Sequence, residues 1–183
     1  MKQARWTQRD GKGIEHLVLD ERSDGVVIES VVVGEGEAGA FGMTYRIECD
    51  ARWQVTRLVA KLAGGGCIDL RRAQAWTDEQ GAPQAALNGC IDVDIIATPF
   101  TNTLPIRRLR LQPGERREIR VAYVRVPEMT VSAVAQAYTC IDACVDGKRR
   151  YRFEGLDTGF TAEIAVDDDG LVTDYPGLFE RIA

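Results

Sequence analysis

One histidine, His16, stands in 183 residues, and that scarcity restricts the chemistry more than any abundance does. A Ser–His–Asp or Cys–His constellation has a single imidazole to draw on, and metal sets built on several histidines are out of reach. Cysteine does not fill the gap. Cys49, Cys67, Cys90, Cys140 and Cys144 are an odd five, and the close pair Cys140/Cys144 has three residues between, neither a CxxC redox spacing nor a zinc-knuckle spacing. The N-terminus MKQARWTQRDGKG has no apolar core of a secretory signal, so free thiols and a cytoplasmic setting are expected. Long hydrophobic runs are missing too. Uncharged stretches such as 95–106 are too short and too polar to supply the roughly 20 apolar residues of a membrane-crossing helix. No P-loop, nucleophile elbow or dinucleotide fingerprint occurs. No cofactor and no metal are therefore expected.

What is present describes an ordinary globular chain. Apolar residues make up 45% and charged residues 28%, which argues against disorder, and the length suits a single domain spanning 1–183. The net charge of −5 conceals an asymmetry. Between Thr101 and Arg125 seven arginines face only Glu115 and Glu118, so that window carries +5 and the remainder −10. An anionic group could be drawn there, or the arginines could simply sit on solvated strand faces. Nucleic acid is not an expected partner, because the basic residues are confined to one segment and no binding motif accompanies them.

Period-two alternation runs from end to end. Leu17 to Leu19 and Val26 to Val33 flank a Ser23-Asp24-Gly25 turn. Met43, Tyr45, Ile47 and Cys49 alternate with Thr44, Arg46 and Glu48, and the segments 53–62 and 67–76 pair around Gly64-Gly65-Gly66. Strands are also expected at 119–126, 129–141, 149–154, 160–166 and 171–175, with turns at Gln112-Pro113-Gly114, Asp146-Gly147 and Asp168-Asp169-Gly170. Short strands with such regular turns predict a mainly β, largely antiparallel domain. In 129–141 the face Ala133, Ala135, Ala137 carries only methyl groups, which allows the lone helix, or an apolar ligand, to come close.

The most informative stretch is CIDVDIIATPFTNTLPIRRL, residues 90–109. Ile91, Val93 and Ile95 alternate with Asp92 and Asp94, so the two carboxylates share a face roughly 6.5–7 Å apart. Thr98-Pro99 then stops the strand. Thr101, Asn102 and Thr103 are candidate N-caps of a short helix near 101–110 that holds Pro105 in its first turn. Leu104, Ile106 and Leu109 form its apolar side. Arg107 and Arg108 are left for solvent, for the two aspartates or for a ligand.

With its glycine, GCIDVDIIATPFTNTLPIRRL resembles the signature of the bacterial "Putative glycolipid-binding" family, whose fold is called a spiral β-roll. Other segments are similar as well: Trp6 with Glu15-His16-Leu17, Tyr45-Arg46-Ile47 followed by Trp53 and Thr56-Arg57, Gln136-Ala137-Tyr138-Thr139, and the ending from Val166-Asp167 to Leu178-Phe179. The resemblance covers essentially the whole chain. It implies a many-stranded sheet rolled around a single helix, homodimers, and a glycolipid or lipid-like ligand.

Three functional readings follow. In the first, the protein binds a lipid or glycolipid without catalysis, with Asn102, Thr101, Arg107 and Arg108 holding a sugar or anionic head group, and Trp53, Arg57 and Tyr138 as further contacts. Each has a plain structural alternative: caps for Thr101 and Asn102, ion pairs with Asp92 or Asp94 for the arginines, the core for Trp53. In the second, Asp92 and Asp94 act as a hydrolase's paired carboxylates, although strand neighbours reach that spacing automatically. In the third, the molecule is a cytoplasmic homodimeric interaction protein with a filled interior.

Overall fold

The computed structural model describes residues 1–36, 39–142 and 148–183, so Cys144 and the expected Asp146-Gly147 turn lie outside the described residues. The alternating segments become fourteen strands: β1 (Lys2–Gln8), β2 (Ile14–Glu21), β3 (Gly25–Gly36), β4 (Gly39–Asp50), β5 (Val55–Leu62), β6 (Cys67–Arg72), β7 (Trp76–Asp78), β8 (Cys90–Ile95), β9 (Arg116–Arg125), β10 (Thr130–Cys140), β11 (Arg149–Gly155), β12 (Phe160–Val166), β13 (Val172–Tyr175) and β14 (Phe179–Arg181). Among the described residues there is one α-helix, α1 (Thr103–Leu109), with short 3-10 turns at Ala85–Leu87 and Phe100–Asn102. No helix of the described residues is long and apolar enough to cross a membrane.

All fourteen strands belong to one sheet, ordered β7-β6-β5-β4-β3-β2-β1-β14-β13-β12-β11-β10-β9-β8. The two ends of the chain meet in its middle. Trp6 pairs with Glu15 of β2 on one side and with Arg181 of β14 on the other. Every neighbouring pair is antiparallel except β8 and β9, which run parallel. A parallel pair cannot be closed by a tight hairpin, and the crossover through α1 supplies the long connection it needs.

Each long strand buries alternate residues; in β3 these are Val26, Ile28, Ser30, Val32 and Gly34. One face of the sheet is thereby apolar and must be covered. Strand twist accumulates over so many strands, and a sheet this wide curls rather than staying open. Here it curls until its edges meet. The Trp76 indole on β7 donates to the Cys90 carbonyl on β8 at 2.8 Å, and the Thr98 hydroxyl, just past β8, donates to Glu15 on β2 at 2.6 Å. The helical segment lies inside the roll, with Phe100, Thr103 and Leu104 fully buried. Trp6, Leu17, Ile28, Ile47, Leu58 and Leu104 belong to the larger core cluster, and Tyr138, Tyr151, Phe153, Ile164 and Tyr175 to a second.

Two local expectations need correction. The strand expected at 53–62 starts at Val55, because Asp50 accepts the backbone N–H groups of Arg52 and Gln54 and bends Trp53 to a φ of 64°. The strand expected at 67–76 ends at Arg72, and Trp76 opens the separate β7. Within β10 Gln136 bonds Asp94 and Tyr138 bonds Asn102, while Ala133, from the small-residue face, packs against the core cluster that holds Phe100 and Leu104.

Candidate functional site

A cleft of about 810 Å³ is lined by residues of β8 to β14 together with the ends of β1, β3 and β4. Its wall is aromatic. Phe153 packs its ring against Phe160 at 6.1 Å and Tyr175 at 6.5 Å, and Tyr175 continues to Phe179 at 6.3 Å, all with tilted or edge-on geometry. Strand parity explains the wall: Phe153 sits opposite Ala162 and Tyr175 opposite Phe179, so these rings come from adjacent strands on the inner face. At the mouth, Ile96, Phe160 and Leu178 are exposed by 51%, 42% and 41%. These three apolar side chains leave the mouth open and apolar.

Behind the rings lies a polar floor made by the crossover after β8. Asp94 accepts hydrogen bonds from the Thr101 hydroxyl at 2.9 Å and the Gln136 amide nitrogen at 2.6 Å. Asn102 lies next to it, donating to the Pro99 carbonyl and accepting from the Tyr138 hydroxyl at 2.9 Å. Burial pushes the Asp94 carboxyl up, and the bonds from Gln136 and Thr101 pull it back. Burial, with the Asp94 carboxylate adding to it, pushes the Tyr138, Tyr123 and Tyr175 hydroxyls up. Of the candidates read from the sequence, Asp94, Thr101, Asn102 and Tyr138 therefore converge, with Asp94 and Asn102 lining the cleft itself.

The other candidates are placed elsewhere. Asp92 shares a strand face with Asp94 but is fully buried under Arg108, whose guanidinium grips it at 2.5 Å and 3.0 Å. Burial drives the Asp92 carboxyl up, with Arg108 opposing. Arg107 donates to the Asp169 carbonyl and to Glu21, and lies 4.3 Å above the Trp53 ring. Trp53 is core, as its structural alternative had it. Arg57 makes a two-point contact with Asp69 at 3.1 Å and 2.7 Å, in a shallow outer depression that His16 also lines. The two arginines at 107 and 108 thus point away from the large cleft, each into its own acidic partner.

Capping by Thr101, Asn102 or Thr103 is also corrected. The 3-10 turn at Phe100–Asn102 runs straight into α1, so its carbonyls satisfy the first helical N–H groups: Asn102 bonds Pro99 and Thr103 bonds Phe100. The hydroxyl and amide are freed for the floor, and Thr103 donates to the Gly170 carbonyl at 2.8 Å. Gln136 and the rings of Phe153, Phe160, Tyr175 and Phe179 were not foreseen as site residues, because an inward aromatic on a strand carries the same pattern whether it meets a neighbour or a cleft.

A buried carboxylate sits just behind the floor. Glu15 accepts from Ser30 at 2.7 Å, Tyr45 at 2.5 Å and Thr98 at 2.6 Å, and Thr98 itself lines the cleft. Burial outweighs these three neutral donors and raises its pKa to about 7.

A comparison with solved structures finds a crystal structure of a DUF1089 family protein from Pseudomonas aeruginosa, 36% identical, covering 92% of each chain with a TM-score of 0.80. Comparison with curated proteins yields no match. The sequence pattern of a known family matches residues 3–181, almost the whole roll with the aromatic wall and the polar floor. The chain belongs to the family described as "Putative glycolipid-binding".

Proposed function

We propose that this protein binds an amphipathic lipid-like molecule, of which a glycolipid is the leading type, in the aromatic-walled cleft, without transforming it. The observation that carries the reading is the cleft's two-part lining: an aromatic wall with an apolar mouth, and behind it a compact set of polar groups. Apolar walls with a few convergent polar groups are what a small-molecule site requires. The family description points the same way. The non-catalytic part is supported by Asp92, which is ion-paired with Arg108 and does not line the cleft, so Asp92 and Asp94 do not face the cleft together as a paired acid and base.

The test is native mass spectrometry of the purified protein, followed by solvent extraction and lipid analysis. A defined, stoichiometric amphiphile is expected. Ser132 is exposed on the cleft wall, so Ser132→Trp fills the cleft without entering the core and should deplete that amphiphile at unchanged melting temperature. An empty protein that takes up no added amphiphile refutes the reading.

A second reading, a homodimeric interaction protein in the cytoplasm, is favoured by a different surface. Ile14, Val31 and Val33 are about half exposed, and Ile14 pairs with Val33 across β2 and β3, so the three form a continuous outer strip. Sedimentation of the wild type against Val31→Lys tests it: a dimer that Val31→Lys dissociates supports it, and a monomeric wild type removes it.

A further inference from the structure

The polar floor has a sign, and it selects among head groups. Gln136 is 3% exposed, lines the cleft, and its amide oxygen has no hydrogen-bond partner. The amide cannot simply be reversed. A carboxylate accepts hydrogen bonds, so the 2.6 Å contact with Asp94 takes the Gln136 NH₂ end and leaves the amide oxygen as the buried, unpaired end of a cleft-lining side chain. Asp94 holds two donors and, as a carboxylate, retains free lone pairs. A second lining residue, Gln8, also carries a buried amide oxygen without a partner. A buried acceptor left unmade is costly, so a ligand that satisfies these oxygens gains more than one that does not.

The remaining charges agree. Besides Asp94, the lining has Asp10, Glu35, Glu128 and Asp157 against Lys12 and Arg125, and Lys12 is already held by Glu35 at 2.9 Å. The arginines that would neutralise an anion, Arg107 and Arg108, are committed to Glu21 and Asp92 outside it.

We infer that Asp94 and Gln136 form an acceptor floor that recognises a hydrogen-bond-donating head group, made of hydroxyls or an ammonium, and rejects anionic head groups. This rests on the binding reading above and specifies its ligand. Hydroxyls donate to the Asp94 and Gln136 oxygens; an ammonium adds Coulombic attraction to the carboxylate. A phosphate or carboxylate brings acceptors against acceptors and like charge against Asp94.

The experiment measures calorimetric or NMR-monitored binding of three monomeric probes with one tail: octyl glucoside, octylammonium and octyl phosphate. The glucoside, the ammonium or both should bind at least about tenfold more tightly than the phosphate, and which of them leads separates a sugar-type head from a cationic one. Asp94→Asn, checked for an unchanged fold by circular dichroism, should narrow the gap to the phosphate about tenfold. Gln136→Met keeps volume and removes the acceptor, and should weaken the glucoside by up to about tenfold without weakening the phosphate. Equal or tighter binding of octyl phosphate to the wild type, with Ser132→Trp abolishing it, overturns the inference and leaves cleft binding intact. Failure of all three probes to bind overturns both.

Discussion

Replacing Glu15 by glutamine should change how stability depends on pH, and the size of the change follows from the site. Glu15 is buried among Ser30, Tyr45 and Thr98, three neutral hydroxyls, and its pKa rises from 4.5 to about 7. A raised folded-state pKa means the folded protein holds the proton more tightly than the unfolded chain. The associated stability is complete below the unfolded value near 4.5 and is lost as pH climbs through about 7. At 1.36 kcal/mol per pH unit, the loss across that window is about 3 kcal/mol. For a chain of this length that is a melting-temperature difference of about 6–12 °C. Glutamine mimics the protonated acid: its oxygen accepts from Ser30 and Tyr45 and its NH₂ faces Thr98. The assay is urea or thermal unfolding of both proteins at pH 5, 6, 7 and 8. Glu15→Gln should lie close to or below the wild type at pH 5 and gain on it by about 3 kcal/mol by pH 8. Two parallel curves would refute the reasoning, and the opposite slope would mean that the three hydroxyls outweigh burial.

Arg108→Ala strands a fully buried Asp92 and should cost about 3–5 kcal/mol in chemical denaturation, whereas Arg107→Ala, whose partner Glu21 is partly solvated, should cost about 1 kcal/mol. Equal losses would show that the two guanidiniums are interchangeable. Tyr138→Phe leaves the Asn102 side-chain oxygen unpaired in the interior and should cost about 1–3 kcal/mol; no change in melting would place a water there instead. Gly170 adopts a φ of 76°, and an added Cβ would stand 3.1 Å from the Arg107 side chain, so Gly170→Ala should destabilise by about 1 kcal/mol or more in the same assay.

The sheet was legible because period-two burial needs nothing beyond neighbouring positions. Val26, Ile28 and Val32 alternate with Val27, Glu29 and Val31, and the Gly64-Gly65-Gly66 run takes positive φ at all three positions. The helical crossover was legible from Pro99, Pro105 and the apolar Leu104 and Ile106. The alternative that an arginine pairs with an aspartate was realised as Arg108 on Asp92. Gln136 was visible only as a part of a family-like segment, and nothing in its neighbours distinguished it from any inward polar residue.

Local pattern therefore determined that this chain is a mainly β domain with one helical crossover, since side-chain alternation and turn chemistry act over a few residues. Tertiary structure alone decided which charged groups are free. Asp92 and Asp94 are chemically identical neighbours on one strand face, yet one meets a guanidinium and the other an amide and a hydroxyl at the floor of a cleft. That difference depends on where β10 and α1 arrive after the sheet has rolled, and contacts between residues some 40 positions apart are not written in either segment by itself.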